Sequence, residues 1–305
     1  MKWEWRRFLF SFVKKIFHGK KTTFSDVQTA PLSEEQLKAV SIAPVALRPL
    51  QLLVGSAQSI GKQRDHNEDS LFTLNAILAD GTSELPFGIF MIADGMGGHQ
   101  HGEIASGVAV RAFSHYMLSR LYLPFINLIS ESPGESIQEL METAVHESQQ
   151  AVVRRAPGGG TTLTAALVLG EQVTIAHVGD SRAYFVYPDG RMQVITHDHS
   201  LVHRLVELGQ LNEDEALSHP QRNVLYRAVG QSEPYRPDID TYQLPHPGSL
   251  LICSDGLWSV VAENQVFRII KNAANPSIAC HELVKAANDA GGPDNISVVL
   301  VQFLA

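Results

Sequence analysis

Phe87-Gly-Ile-Phe-Met-Ile-Ala-Asp94-Gly95 is an apolar run that meets an Asp-Gly pair, and Ser249-Leu-Leu-Ile-Cys-Ser-Asp255-Gly256 repeats the arrangement. Apolar runs of this length, bounded by turn residues, fit strands buried on both faces. Val173-Thr-Ile-Ala-His-Val-Gly179-Asp180 ends a third such run in an aspartate. Gly291-Gly-Pro-Asp294-Asn295 places another just before a last strand-like run, and Asn67-Glu68-Asp69 adds one near the first strands. Strand ends in one sheet system can converge on a single edge. Five carboxylates there repel one another unless cations neutralise them. All-oxygen ligands select hard ions, Mg²⁺ or Mn²⁺, over zinc. The glycines beside Asp94 and Asp255 allow a tight backbone turn, and the Gly95 carbonyl could itself be a ligand. A lone Asp-Gly is ordinarily a turn, as in Pro188-Asp189-Gly190 between two polar-edged strands. Its recurrence after buried-type strands is what points to a site.

Working outward, strands are expected over Leu52–Ile60, Leu71–Leu74, Phe87–Ala93, Thr162–Leu169, Val173–Val178, Ala183–Tyr187, Met192–Ile195, Val224–Val229, Ser249–Cys253 and Ile296–Phe303. Helical spacing is expected over 103–122, 135–155, 200–217, 263–272 and 276–290. Strand clusters separated by paired helices indicate an α+β fold rather than regular βαβ alternation. No internal repeat of 20–50 residues is evident.

Composition excludes several classes. The 305 residues are 44% hydrophobic and 18% charged, enough for a sizeable core and unlike a disordered polyelectrolyte. Two cysteines, Cys253 and Cys280, exclude a disulfide scaffold or a cysteine-rich zinc module and are most simply core residues. Uncharged stretches reach about 15 residues, short of the ~18 apolar residues of a spanning helix. A formal net charge of −8 argues against a nucleic-acid binder. The expected setting is cytoplasmic.

That charge is unevenly placed. Residues 1–21 carry seven Lys and Arg against Glu4 alone, a local balance of +6 that leaves −14 for the remainder. Trp5, Phe8, Leu9, Phe12, Val13, Ile16 and Phe17 fall on one face of a helix, with basic residues opposite. Such a helix suits peripheral contact with the inner membrane face, or docking on the acidic body or a partner. It lacks the continuous apolar core of a secretory signal. Residues 22–50, with Pro31, Pro44 and Pro49, read as a linker, and residues 51–305 as the globular domain.

Seven segments occur in one order: Arg64-Asp-His-Asn-Glu-Asp69, Ala93-Asp-Gly-Met-Gly-Gly-His99, Gly160-Thr-Thr-Leu-Thr164, His177-Val-Gly-Asp-Ser-Arg182, Ser218-His-Pro-Gln-Arg222, Cys253-Ser-Asp-Gly256 and Gly292-Pro-Asp-Asn295. With them the chain resembles the protein phosphatase 2C family, the metal-dependent serine/threonine phosphatases, in its bacterial form. The resemblance implies two stacked antiparallel β-sheets flanked by helix pairs, an α-β-β-α sandwich, with a binuclear metal centre at one end. It implies that Asp94 bridges two Mg²⁺ or Mn²⁺ ions, that the Gly95 carbonyl binds the first, and that Asp69, Asp255 and Asp294 hold the second. Asp180 matches an aspartate that, with Asp255, supports a third, weaker ion. Glu68 would act through a water, with Asn295 beside Asp294 as a supporting residue, and Arg64 would grip the substrate phosphate. Residues 196–231 correspond to the variable flap.

The implied activity is hydrolysis of phosphoserine or phosphothreonine in a protein by a metal-activated water, without a phosphoenzyme. The substrate would be the target of a serine/threonine kinase, or the kinase itself. His99 is a candidate proton donor to the leaving group, with a solvated surface role as the alternative. Animal members place their histidine directly after Asp-Gly, where this chain has Met96. The alternative readings are a catalytically silent scaffold or sensor tethered by its first helix, which would be expected to lose aspartates, and a hydrolase of small phosphoesters. Weaker signals read as structural. His197-Asp198-His199 cannot direct three adjacent side chains at one ion. Gly158-Gly-Gly-Thr-Thr162 lacks the lysine and spacing of a P-loop, and its threonines are expected to bond near the metal site. Arg182 is expected to pair with carboxylates, and Trp258 to pack under the site.

Overall fold

The computed structural model describes residues 51–79, 84–97, 100–126, 134–212, 215–216, 219–231 and 236–304. The expected basic helix over 1–21, the linker 22–50 and His99 lie outside the described residues. Along the chain come β1 (Gln51–Ser59), β2 (Asp69–Ala79), β3 (Glu84–Met96), α1 (Gln100–Met117), α2 (Ile137–Arg155), β4 (Gly160–Thr161), β5 (Leu163–Leu169), β6 (Gln172–Val178), β7 (Arg182–Val186) and β8 (Met192–Val194). They are followed by α3 (Leu201–Glu207), β9 (Asp238–Gln243), β10 (Gly248–Cys253), α4 (Asp255–Trp258), α5 (Glu263–Asn272), α6 (Pro276–Asp289) and β11 (Ile296–Leu304). A π-helical turn, Leu118–Tyr122, prolongs α1 into Leu123–Ile126.

The strands form two antiparallel sheets. One has the order β1-β11-β10-β7-β8, the other β2-β3-β5-β6-β9 with β4 paired to the end of β3. The period-2 pattern explains why β3 and β10 are apolar throughout. In β3, Phe90 and Ile92 face the opposing sheet, where they meet Ile252, Val299 and Phe303. Ile89, Met91 and Ala93 face the other way, onto Phe113 and Met117 of α1 and Leu140 and Val145 of α2. In β10, Leu250 and Ile252 point inward, while Leu251 packs under Val266 of α5 and Leu283 of α6. Each strand has a helical layer on one side and a sheet on the other, so neither face tolerates charge. The result is the expected α-β-β-α sandwich.

Local signals set the helix starts. Ser136 Oγ accepts from the Glu139 amide at 3.2 Å, and Glu139 Oε2 accepts from the Ser136 amide at 2.7 Å, a reciprocal cap that opens α2. Asn275 caps α6, with Pro276 at its first position.

The expected boundaries need five corrections. The strand expected over Leu71–Leu74 runs from Asp69 to Ala79. Val224–Val229 is not a strand: only isolated bridges form, Leu225 with Ser200 and Val229 with Thr161. The helix expected over 200–217 is limited to Leu201–Glu207 at its start, and Gly209, at φ +67°, closes it. Asp238–Gln243 is a strand that the sequence reading omitted, an edge strand paired only to β6. Finally, β3 does not stop at Asp94. It continues to Met96 because Gly95 and Met96 pair with Thr161 and Gly160 of β4. Among the described residues, no helix is long and apolar enough to cross a membrane.

Candidate metal centre and active site

The five aspartates meet at one end of the sandwich. Asp69 and Asp94 are directly opposed in the β2–β3 ladder. Asp180 lies in the turn from β6 to β7, Asp255 opens α4 immediately after β10, and Asp294 precedes β11. Asp94, Asp180, Asp255 and Asp294 line a cleft of about 390 Å³ together with Arg64, Glu68 and other residues of the loops. Asp69 is buried beneath it, 7% exposed. The sequence positions 69 to 294 are thus gathered from both sheets.

Each carboxylate is held by its own surroundings. Asp69 Oδ2 accepts from Ser297 Oγ at 2.6 Å and from Ser254 Oγ at 2.9 Å, and Ser254 Oγ in turn accepts the Ser297 amide. The Asp94 amide donates to Thr162 Oγ1, while its carbonyl accepts from Thr161 Oγ1 and the Thr162 amide, all at 2.9 Å. The glycine-threonine stretch therefore clamps the backbone of Asp94, as expected. The carbonyl of Asp180 accepts from Trp258 Nε1 at 3.1 Å. The Arg182 guanidinium lies 3.7 Å over the Trp258 ring and forks onto both oxygens of Asp198. Trp258 packs under the site, and Arg182 fixes the base of the flap to it. Asn295 receives the Glu68 amide at 2.7 Å and donates to the carbonyls of Ile60 and His66. It ties the Arg64–Glu68 loop to the start of β11. Glu68 Oε1 lies 3.2 Å from His66 Nε2. At the rim, Arg64 Nη2 donates to Asp294 Oδ2 at 2.6 Å, with its side chain half exposed.

The glycines serve for a different reason from the one expected. Neither Gly95 nor Gly256 has a positive φ. A Cβ at Gly95 would overlap the Gly102 carbonyl of α1, and one at Gly256 would overlap the carbonyl of Asn295. Both are glycine so that backbones can touch where the aspartates are presented.

Electrostatics point to a cation. Burial, followed in Asp94 and Asp255 by repulsion from the other aspartates, raises the pKa of both well above the usual carboxylate value. Burial pushes Asp69 up to about 6 and Asp180 up to about 7. Asp69 Oδ1 and Asp255 Oδ1 are buried without a hydrogen-bond partner. An orphaned buried acceptor costs roughly 1–3 kcal/mol, so these oxygens suit a hard divalent ion. Among the described residues, no three of His, Cys, Asp and Glu converge on one point as in a preformed mononuclear site. The aspartates are instead distributed around the cleft.

A pH-dependent prediction follows from these shifts. Carboxyl groups with raised folded-state pKa values bind more protons folded than unfolded, so metal-free stability falls as pH climbs from about 4 to 7. A bound divalent ion removes that penalty. Thermal melts should show a Mn²⁺ stabilisation several degrees larger at about pH 7.5 than at about pH 5. Equal shifts at both pH values would contradict the reading of the ring as a cation site.

Three groups beside the site were not singled out for a role there. His177, inside β6, hydrogen-bonds Thr164 Oγ1 through Nδ1, and burial pushes its pKa down to about 4. His199 Nδ1 accepts the amide of Gly179, and its Nε2 lies 3.2 Å from Asp238 Oδ2. Ser254 and Ser297 carry Asp69. His197, Asp198 and His199 do not act together, since Asp198 belongs to Arg182 and His199 to Gly179 and Asp238. Cys253 and Cys280 are buried free thiols, both pushed up to about 12 by burial.

Comparison with known proteins matches this arrangement. A family model described as "Protein phosphatase 2C" matches residues 62–287. The serine/threonine phosphatase stp of Listeria innocua is 37% identical over 250 residues, covering 79% of this chain and 92% of the relative. The serine/threonine phosphatase structure from S. agalactiae superposes with a TM-score of 0.69 at 30% identity, covering 83% and 99% of the two chains. The PstP catalytic domain, solved in complex with two manganese ions, gives a TM-score of 0.67 at 29% identity, covering 84% and 100%. With the sandwich and the aspartate ring in place, these likenesses make the chain a member of the protein phosphatase 2C family.

Proposed function

We infer that this chain is a metal-dependent protein phosphatase that hydrolyses phosphoserine or phosphothreonine. The observation that carries the reading is the ring of five aspartates, four lining one cleft and Asp69 beneath it, two of them with buried, unpartnered oxygens. The family likeness supports it from the outside. All five aspartates are present, which disfavours a silent scaffold.

Asp94, the Gly95 carbonyl, Asp69, Asp255 and Asp294 would hold two Mg²⁺ or Mn²⁺ ions, with Asp180 and Asp255 supporting a third. Bound there, such ions supply a nucleophilic water at neutral pH and positive charge for the phosphoryl oxygens. The chain's own residues do the rest. Arg64 stands at the cleft mouth with a planar fork of donors, suited to two non-bridging oxygens of a phosphate dianion. One end of that fork donates to Asp294 and the side chain is half exposed, which leaves the other nitrogens for a phosphate. Glu68, held by Asn295, presents a carboxylate for a bound water. The clamp of Thr161 and Thr162 fixes the backbone from which the Asp94 carboxylate is presented. His99 is the proposed proton donor to the departing alkoxide.

The direct test is phosphate release from a phosphothreonine peptide with and without Mn²⁺, comparing the native chain with Asp255→Asn. Manganese-dependent release that the variant loses is the expected result. No release from the folded, metal-loaded native chain would overturn the assignment.

The proposed partners are a phosphorylated protein, the target of a serine/threonine kinase or the kinase itself, and, through residues 1–21, the inner face of a membrane. The charge and aromatic pattern of that segment supports a cytoplasmic, peripheral placement. Salt-sensitive flotation of the full chain with anionic liposomes, lost when the chain begins near residue 50, is expected. Equal flotation of both would refute the anchor.

A further inference from the structure

A second concavity lies on the outer helical layer, away from the aspartate ring. It is a groove of about 510 Å³ between α1 and α2. Arg111 and His115 line it from α1, and Arg154 and Arg155 from α2, all four exposed. Ala112 and Ala151 form a low floor between them. Glu147 is the one carboxylate among the lining residues. Arg111 reaches only the Gly107 carbonyl of its own helix, at 3.2 Å. Among the described residues, no ion pair joins Arg111, Arg154 or Arg155 to a carboxylate.

This clustering runs against the rest of the surface. Beyond residue 21 the chain carries a formal charge of −14, yet three arginines share one groove with a single glutamate. Arg154 and Arg155 complement the negative end of α2. Arg111 has no such role, because it stands in the middle of α1. The guanidinium fork matches carboxylates in a bidentate way, and desolvation by a concave wall strengthens the match.

We propose that the groove between α1 and α2 is a docking surface for an acidic polypeptide segment. Charge complementarity selects the occupant. The segment 1–21, with a balance of +6, has the same sign as the groove and is not its complement. A groove between two helices admits a narrow chain more readily than a flat headgroup plane. In an extended strand every second side chain points to one face, so carboxylates at alternate positions would all face the groove and its arginines.

The test uses the full chain, in chelator, so that binding is read without turnover. The probe is a fluorescent twelve-residue peptide of alternating Glu and Gly, followed by anisotropy. Arg111→Glu/Arg154→Glu should weaken binding at least tenfold, and Arg111→Gln/Arg154→Gln about threefold. Lys271→Glu, in the opposite helical layer, lowers the net charge by two, as the double Gln variant does, and should leave binding within twofold. Melting temperatures verify that each variant is folded. Equal binding by the native chain and the groove variants would overturn the proposal, because residues 1–21 or other basic groups would then account for it. So would an equal loss in Lys271→Glu, which would reduce the effect to net charge. Capture by phosphatidylglycerol vesicles that depends on Arg111 and Arg154, without peptide binding, would assign the groove to lipid instead.

Discussion

Asp94→Asn should abolish manganese-dependent phosphate release while raising the melting temperature of the metal-free protein. The two effects share one cause. Asp94 is half-buried among Asp69, Asp180, Asp255 and Asp294, and each raises the cost of its charge. Asparagine keeps the shape and the backbone clamp from Thr161 and Thr162, but it removes the charge. Without metal, the loss relieves repulsion, so the fold gains stability near neutral pH. With metal, the loss removes the proposed bridging ligand. A fall of about a thousandfold in kcat corresponds to ~4 kcal/mol of transition-state stabilisation. Phosphate release and differential scanning fluorimetry on the same sample check both halves. Retained activity would sink the bridging role. Lost activity with a lowered melting temperature would mean that the variant had damaged the fold, and that Asp94 was not the strained charge proposed here.

Gly256→Ala should be more damaging than its single methyl suggests. The added Cβ meets the carbonyl oxygen of Asn295 and leaves no flexible side chain to move aside. Relief requires separating the start of α4 from the start of β11. That separation moves Asp255 on one side, and Asp294 and Asn295 on the other. Overpacking of this kind destabilises by about 1–3 kcal/mol. Chemical denaturation should show a loss in that range. Phosphate release should fall further than the folded fraction does, because the cleft itself is pried open. A variant as stable and active as the native chain would show that the contact is easily relaxed.

Much of this arrangement could be read in advance, and the failures have physical reasons. The strands β3 and β10 were legible because both faces are buried, which leaves an unbroken apolar run. β9 was not, because Asp238-Ile-Asp-Thr-Tyr-Gln243 is a half-exposed edge strand with no apolar run at all. Val224–Val229 shows the opposite error: a strand-like composition whose backbone finds only two isolated partners. At the site, the carboxylates were visible because charge at the end of an apolar strand is conspicuous. Ser254 and Ser297, which carry Asp69, were invisible because a small hydroxyl has no spacing rule. His177 passed as an ordinary strand residue, since only the fold places it against the turn that holds Asp180. The glycines were noticed for the wrong property, their turning ability, when the missing Cβ is what matters.

The position of β11 has a consequence for how the protein comes into being. β11 lies between β1 and β10 rather than at an edge of its sheet, and Asp294 and Asn295 immediately precede it. Most of the first sheet therefore cannot close until β11 is available to pair on both sides. Until then, β1 and β10 have no common neighbour, and the ring of aspartates lacks a member. The helical layers and the second sheet do not include β11, but the sheet that completes the site forms only once β11 has docked. One event, the insertion of β11, thus completes both the sheet and the ring of aspartates.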